Sequence, residues 1–136
     1  MTIAVDFDGT IVEHKYPNIG KEKPFAIDTL RKLASEGHKI ILWTAREGEL
    51  LDDAIRFCKE RGLVFYAVNS DTPEGALTFS GKASTTKLVA DIYIDDRNLG
   101  GIPDDWTQIY EMITHQRLER KALRERSRGC GLFRKK

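Results

Sequence analysis

Two hydrophobic periods alternate along this chain. Residues 2–7, "TIAVDF", form a short apolar run rich in β-branched residues and predict a strand, since the run is too short for a helix. Residues 17–24, "PNIGKEKP", are turn-rich. Pro24 is suited to open a helix at its first turn. In "FAIDTLRKLASE" the residues Phe25, Leu30, Leu33 and Ala34 share roughly one helical face, and Gly37 supplies the stop. "KIILW", residues 39–43, predicts a fully apolar second strand. "GELLDDAIRFCKERG", residues 48–62, predicts a second helix with Leu50, Ala54, Phe57 and Cys58 inward and Gly62 as its stop. "LVFYAV", residues 63–68, predicts a third strand. Residues 69–86 read as loop, with a short strand at Ala76–Phe79 the only regular piece suggested. "DIYI", residues 91–94, predicts a fourth strand, and Asp105 is placed to cap a long helix from Trp106 to about Arg126.

Strands separated by helices predict parallel βαβ units. The expected fold is α/β, a Rossmann-like parallel sheet with helices on both faces. At 136 residues the chain is long enough for one core and one domain. No internal repeat and no linker divides it. Residues 1–114 are expected to form the catalytic core, and residues 115–136 a basic end of the last helix and a tail.

Composition narrows the class. A chain 40% hydrophobic and 32% charged is ordinary for a soluble globular protein, and no apolar run approaches the roughly 18–20 residues of a membrane span. The opening "TIAVDFD" has neither a basic n-region nor a cleavage site, so a cytoplasmic location is expected. Cys58 and Cys130 have no metal-type spacing. Cys58 reads as a buried small hydrophobe, Cys130 as a free thiol, and reducing surroundings are the simpler assumption. The net charge of +1 conceals an asymmetry: residues 115–136 carry +7 and residues 1–114 carry −6. A basic tail can attract nucleic acid or another polyanion. The plainer reading is a solvated helix end, and it is preferred because no aromatic residues interleave the charges.

In open parallel sheets, ligands bind beyond the carboxyl ends of the strands. The polar residues of this chain gather at those places. Asp6 and Asp8 follow the first strand, Thr44 the second, and Asp95 and Asp96 the fourth, with Lys87 just before it. Four carboxylates, a hydroxyl and an ammonium thus converge. Such an acidic cluster calls for a cation. Hard carboxylate oxygens suit Mg²⁺, and the His or Cys ligands that zinc prefers are lacking. Alternation puts Asp6 and Asp8 on one side with Phe7 turned into the core. One carboxylate can then attack while the other handles protons. Gly9 permits a sharp turn, and Thr10 can hold it by hydrogen bonding.

These motifs resemble those of the haloacid-dehalogenase superfamily of phosphatases, in the same order, over most of residues 3–98. "DFDGT" is similar to the first motif, "ILWTAR" to the second, and "KLVADIYIDDR" to the combined third and fourth. The resemblance implies a phosphomonoester hydrolase with an aspartyl-phosphate intermediate. Asp6 would be the nucleophile and Asp8 the general acid, then the general base. Thr44 and Lys87 would hold phosphoryl oxygens, with Gly9 and Ala45 also in the phosphate site. Mg²⁺ would be positioned by Asp6, Asp95, Asp96 and the backbone carbonyl of Asp8. The intervals 8–44 and 44–87 leave no room for a folded cap domain, so the resemblance is to the capless branch. An open site suits a phosphorylated substrate that is large, or a small one enclosed by a second subunit.

Alternatives stand beside each assignment. Lys82 rivals Lys87, which lies nearer the fourth strand. Thr44 is also suited to cap the following helix. Asp96 is an alternative salt-bridge partner of Arg97. Arg46 and His14 are either substrate contacts or solvated surface. Trp106, Ile109, Tyr110 and Ile113 can pack on the protein's own sheet or on another subunit. A bacterial receiver domain combines similar residues, but its acidic pair comes first along the chain. Two other functions remain open: a phosphatase of nucleic-acid ends guided by the basic tail, and a phosphate-binding module without turnover.

Overall fold

The computed structural model describes residues 1–73 and 87–134. Its elements run β1 (Thr2–Val5), α1 (Ala26–Ser35), β2 (Lys39–Leu42), α2 (Gly48–Glu60), β3 (Ala67–Val68), β4 (Ile92–Ile94) and α3 (Trp106–Arg134). The four strands form one parallel sheet in the order β3-β2-β1-β4. This is the Rossmann-like α/β architecture, and residues 8–44 hold no folded insertion. The expected strand at Ala76–Phe79 lies outside the described residues.

Strand alternation assigns the two faces of the sheet. Ile3, Val5, Ile40, Leu42 and Ile94 point to one face. There they join Ile27, Leu30 and Leu33 of α1, Ala54 and Cys58 of α2, and Trp106, Ile109 and Ile113 of α3 in the main core. All three described helices therefore cover that face. Ala4 and Ile41 point to the other face, where they meet Leu88, with Trp43, Ala90 and Tyr93 packed around them. Helices on both faces were expected. The chain that returns from β3 to β4 includes residues 74–86, outside the described set, and Leu88 and Ala90 at its end pack on the second face.

Several boundaries differ from those expected. Helix α1 begins at Ala26, after a cap residue, Phe25, whose φ of 63° is left-handed. Pro24 thus precedes the cap instead of opening the first turn. Phe25 is exposed, as is Ala34, and the buried stripe is Ala26, Ile27, Leu30 and Leu33. The third strand shrinks to Ala67–Val68 because Leu63 still donates its N–H to the helical carbonyl of Cys58. Helix α3 runs past Arg126 to Arg134. Asp105 caps it as expected: its carboxylate accepts the Thr107 N–H at 2.9 Å. Trp106, Ile109 and Ile113 are buried on the protein's own core, and the Tyr110 hydroxyl donates to Glu36 at 2.5 Å. Cys58 is fully buried, and burial pushes its thiol up to about 12, so it behaves as an apolar side chain.

Phe7 fastens the site to this core. It is fully buried and meets Phe57 of α2 edge-on at 6.0 Å between ring centroids. Phe7→Ala is expected to cost about 3–5 kcal/mol, the usual range for removing a buried aromatic ring. Urea unfolding would measure it, and a loss below 1 kcal/mol would show that the ring does not anchor this turn.

Candidate functional site

The carboxyl ends of β1, β2 and β4 open on a cavity of about 650 Å³. Asp6, Asp8, Thr44, Ala45, Arg46 and Asp95 line it, with His14, Tyr16, Trp43 and Arg97 around them. Of the polar residues expected there, Asp6, Asp8, Thr44 and Asp95 line the cavity, while Asp96 and Lys87 do not.

Asp6 leaves β1 with its N–H still bonded to the Ile94 carbonyl at 2.9 Å, which sets it beside the end of β4. The chain then winds tightly: the N–H groups of Thr10, Ile11 and Val12 all point at the Phe7 carbonyl, at 3.2, 3.0 and 3.3 Å. Gly9 has a φ of 85°, a conformation that disfavours side chains. A Cβ there would lie 2.3 Å from Asp96 Oδ2. Only glycine lets the first loop approach the fourth strand end so closely.

Thr10 holds its own turn as expected, through Asp6, and its hydroxyl also reaches the end of β4. Oγ1 lies 3.1 Å from Asp6 Oδ2 and 3.4 Å from Asp96 Oδ1, and it accepts the Asp96 N–H at 3.1 Å. Thr10 is fully buried. It therefore pins two carboxylates from distant parts of the chain. Asp6, Asp95 and Asp96 each present an oxygen within 4.8 Å of the others. Burial first, and then the Asp95 charge, pushes the Asp6 carboxyl from 3.8 up to about 7. The alternative of Asp96 as a partner for Arg97 is not adopted: Asp96 bonds to Thr10, and the Arg97 N–H goes to Asp95 Oδ1 at 2.9 Å.

Asp8 has a different environment. Arg46 Nε and Nη2 donate to Asp8 Oδ2 and Oδ1, each at 2.7 Å. The remaining Arg46 donors reach the carbonyls of Asn18 at 3.0 Å and of Pro17 and Leu50 at 3.3 Å. All five guanidinium N–H groups are thus satisfied. Arg46 is 1% exposed, which overturns its reading as solvated surface. The guanidinium also lies over the rings of Phe7 and Tyr16, at 5.2 and 5.3 Å. It binds the end of β1, the 17–18 loop and the first turn of α2 into one unit. The Asp8 carboxylate consequently stands apart from the acidic triad.

Thr44 does not cap α2; the cap residue is Glu47. Its Oγ1 accepts the Arg46 N–H at 3.2 Å, and its own N–H is held by Asn69 Oδ1 at 2.8 Å. Asn69 directly follows β3, at a left-handed φ of 51°. It obeys the same strand-end rule that picked out the other residues, and the sequence reading passed over it. His14 is exposed and lines the cavity, so it is both surface and mouth. Lys87 is not among the lining residues. It is exposed, with Nζ 5.1 Å over the ring of Tyr93, which in turn leans on Trp43 at 5.3 Å. Lys82 and the side chain of Cys130 lie outside the described residues.

Fold and site together define a Rossmann-like α/β protein with an oxygen-rich acidic cluster at the ends of the adjacent strands β1 and β4 and no cap among the described residues. No protein-family model and no curated protein matches the chain. A solved structure of a conserved protein from Bacteroides thetaiotaomicron does, at 62% sequence identity and a TM-score of 0.75, over 85% of this chain and 91% of that one. The chain belongs to the same family as that protein. Among the described residues no helix is long and apolar enough to cross a membrane.

Two predictions follow from this geometry. The folded Asp6 carboxyl holds its proton to about pH 7, above its unfolded value of 3.8. Its contribution to the stability of the cation-free protein is therefore complete below about pH 4 and lost as pH rises through about 7. A divalent cation should then raise the melting temperature more at pH 8 than at pH 5, and chelator should reverse this. An equal shift at both values would mean that the cation binds elsewhere. Separately, Arg46→Met should destabilise the fold by about 3–5 kcal/mol, since it strands a buried carboxylate. Asp8→Asn in the same chain should restore part of the loss. Strict additivity of the two in a double-mutant cycle would dismiss the pair as a coupled unit.

Proposed function

We propose that this protein is a phosphatase that hydrolyses phosphomonoesters through an aspartyl-phosphate on Asp6. The observation that carries the reading is the carboxylate triad of Asp6, Asp95 and Asp96, held by a buried threonine at the end of an open cavity. The order of motifs along the chain supports it. Three carboxylates this close need a cation, and their all-oxygen donor set suits Mg²⁺. Asp6, Asp95 and Asp96 would hold it, with the Asp8 carbonyl as a further donor. When bound, the ion screens the nucleophile from the anionic substrate and polarises a phosphoryl oxygen.

The remaining work falls to the chain. An Asp6 carboxylate oxygen attacks phosphorus and the bond from phosphorus to the leaving oxygen breaks. In this cycle Asp8 starts with a proton on the free lone pair of one oxygen; it gives that proton to the leaving oxygen, and as the resulting carboxylate takes one back from the water that attacks the aspartyl-phosphate. Inorganic phosphate leaves and both carboxyl groups return to their starting states. The Arg46 clamp uses one lone pair on each Asp8 oxygen and leaves the other available for this traffic. Thr44 and the backbone at Ala45 receive phosphoryl oxygens, whereas the Gly9 N–H is spent on the Val12 carbonyl at 2.8 Å. Lys87, whose ammonium lies over the Tyr93 ring outside the cavity lining, would supply its charge to the phosphoryl group only by leaving that ring. The mouth is rimmed by His14, Tyr16, Trp43 and Arg97 and no cap stands over it among the described residues, which suits a phosphorylated metabolite or a phosphorylated macromolecule as substrate. The protein acts in the cytoplasm, with a second copy as an optional enclosure. Guidance of nucleic-acid ends by the basic tail loses its geometric support, because Arg117, Arg120 and Arg124 lie with Met1 and Asp91 at the opposite ends of the strands.

Hydrolysis of an aryl phosphate in Mg²⁺ should vanish in chelator and in Asp6→Asn. The Asn variant should melt no lower than wild type without cation, since it removes a carboxyl that burial disfavours. Turnover by Asp6→Asn within tenfold of wild type would remove Asp6 as nucleophile. An active wild type that traps no acid-stable phosphoenzyme on quenching would point instead to direct attack by water.

A further inference from the structure

The second notable cavity lies at the other end of the sheet. A groove of about 380 Å³ runs between the amino ends of the strands and the second half of α3, lined by Arg117, Arg120, Lys121, Arg124, Arg128 and Asp91. Asp91 precedes β4 and bonds Arg120 at 2.8 Å, which fastens the helix to the sheet at this point. The other four cations make no ion pair and no hydrogen bond among the described residues. Glu125 is the remaining acidic group on the wall.

The spacing of the four cations is informative. At about 100° per residue, positions 117, 121, 124 and 128 fall within roughly 60° around the helix axis. They form one row about 16 Å long at ~1.5 Å per residue. That length equals about five phosphate steps along one strand of a duplex, at ~3.4 Å each. Three of the four are arginines, whose planar forks suit phosphate oxygens. We infer that this groove binds the phosphate backbone of a nucleic-acid duplex, as a site separate from the acidic cavity.

Competing partners fit less well. Among the described side chains of α3 the exposed apolar ones are Met112, Leu118 and Leu123; Leu118 stands about 140° from Leu123 and about 120° from Met112, and Met112 and Leu123 are about 16 Å apart along the axis, so they form no continuous apolar stripe for a bilayer. A protein partner would want aromatic or aliphatic anchors, and among the lining residues only Met1 is apolar. A single strand would want stacking platforms, and no aromatic residue lines the groove. What remains is a row of cations, which reads backbone charge without base sequence.

The test uses the full chain and a fluorescent 20-base-pair duplex of arbitrary sequence. Four phosphate contacts should weaken binding roughly 10²-fold between 50 and 200 mM salt. Arg124→Glu with Arg128→Glu should weaken it at least tenfold at 50 mM salt and flatten the salt dependence. Lys21→Glu with Lys59→Glu, an equal charge change elsewhere, should leave it within twofold. Asp6→Asn should bind as wild type does, which separates this site from the phosphatase reading. No binding at 50 mM salt, equal weakening by the control pair, or a preference for a single strand, polyglutamate or anionic vesicles over the duplex would overturn the inference.

Discussion

A charged pair in the wall of the cavity, with its guanidinium buried, organises what surrounds it. Arg46 and Asp8 meet through two hydrogen bonds of 2.7 Å, and the guanidinium spends its other donors on three carbonyls. Burial of a guanidinium is costly unless every donor is used. Here every donor is used, and the acceptors come from three separate parts of the chain. The loop after β1, the segment 17–18 and the start of α2 cannot drift independently without breaking one of these bonds. The pair contributes positional order more than net stability, in keeping with the small or negative balance of buried ion pairs against apolar packing.

The opposite electrostatic situation lies nearby. Asp6, Asp95 and Asp96 crowd together, with the Thr10 hydroxyl between Asp6 and Asp96. One carboxylate of the first loop, Asp8, is thus balanced internally and its neighbour two residues earlier, Asp6, is left unbalanced. That contrast separates two chemically identical side chains into two environments. The first is fixed and ionically paired. The second is short of positive charge, which is the condition under which a cation and an anionic ligand bind together.

Much of this was legible in the sequence because strand ends are local features. An apolar run followed by Asp or Thr marks both the strand and the place where its polar residue emerges, and Asp6, Asp8, Thr44, Asp95 and Asp96 all obeyed that rule. Asn69 obeys it too, after a strand only two residues long that a longer apolar run obscured. Thr10 and Arg46 were harder. Their roles depend on partners 86 and 38 residues away, and no period or spacing encodes such contacts. Phe25 misled the helical pattern for a different reason: its left-handed backbone sets it outside the helix whose face it seemed to share.

The central position of β1 has a consequence for how the protein comes to be folded. Its neighbours are β2, close in sequence, and β4, whose register pairs Ile3 with Ile92. The first of these pairings can form while much of the chain is still unstructured. The second must close a loop of nearly ninety residues, and contacts of that separation slow folding because chain entropy is lost before they reward it. The acidic triad needs that second pairing, since Asp6 comes from one side of it and Asp95 and Asp96 from the other. The crowded negative charge is therefore assembled only when β4 pairs with β1, the same event that brings Ile94 into the core, and the unpaired chain is spared the repulsion.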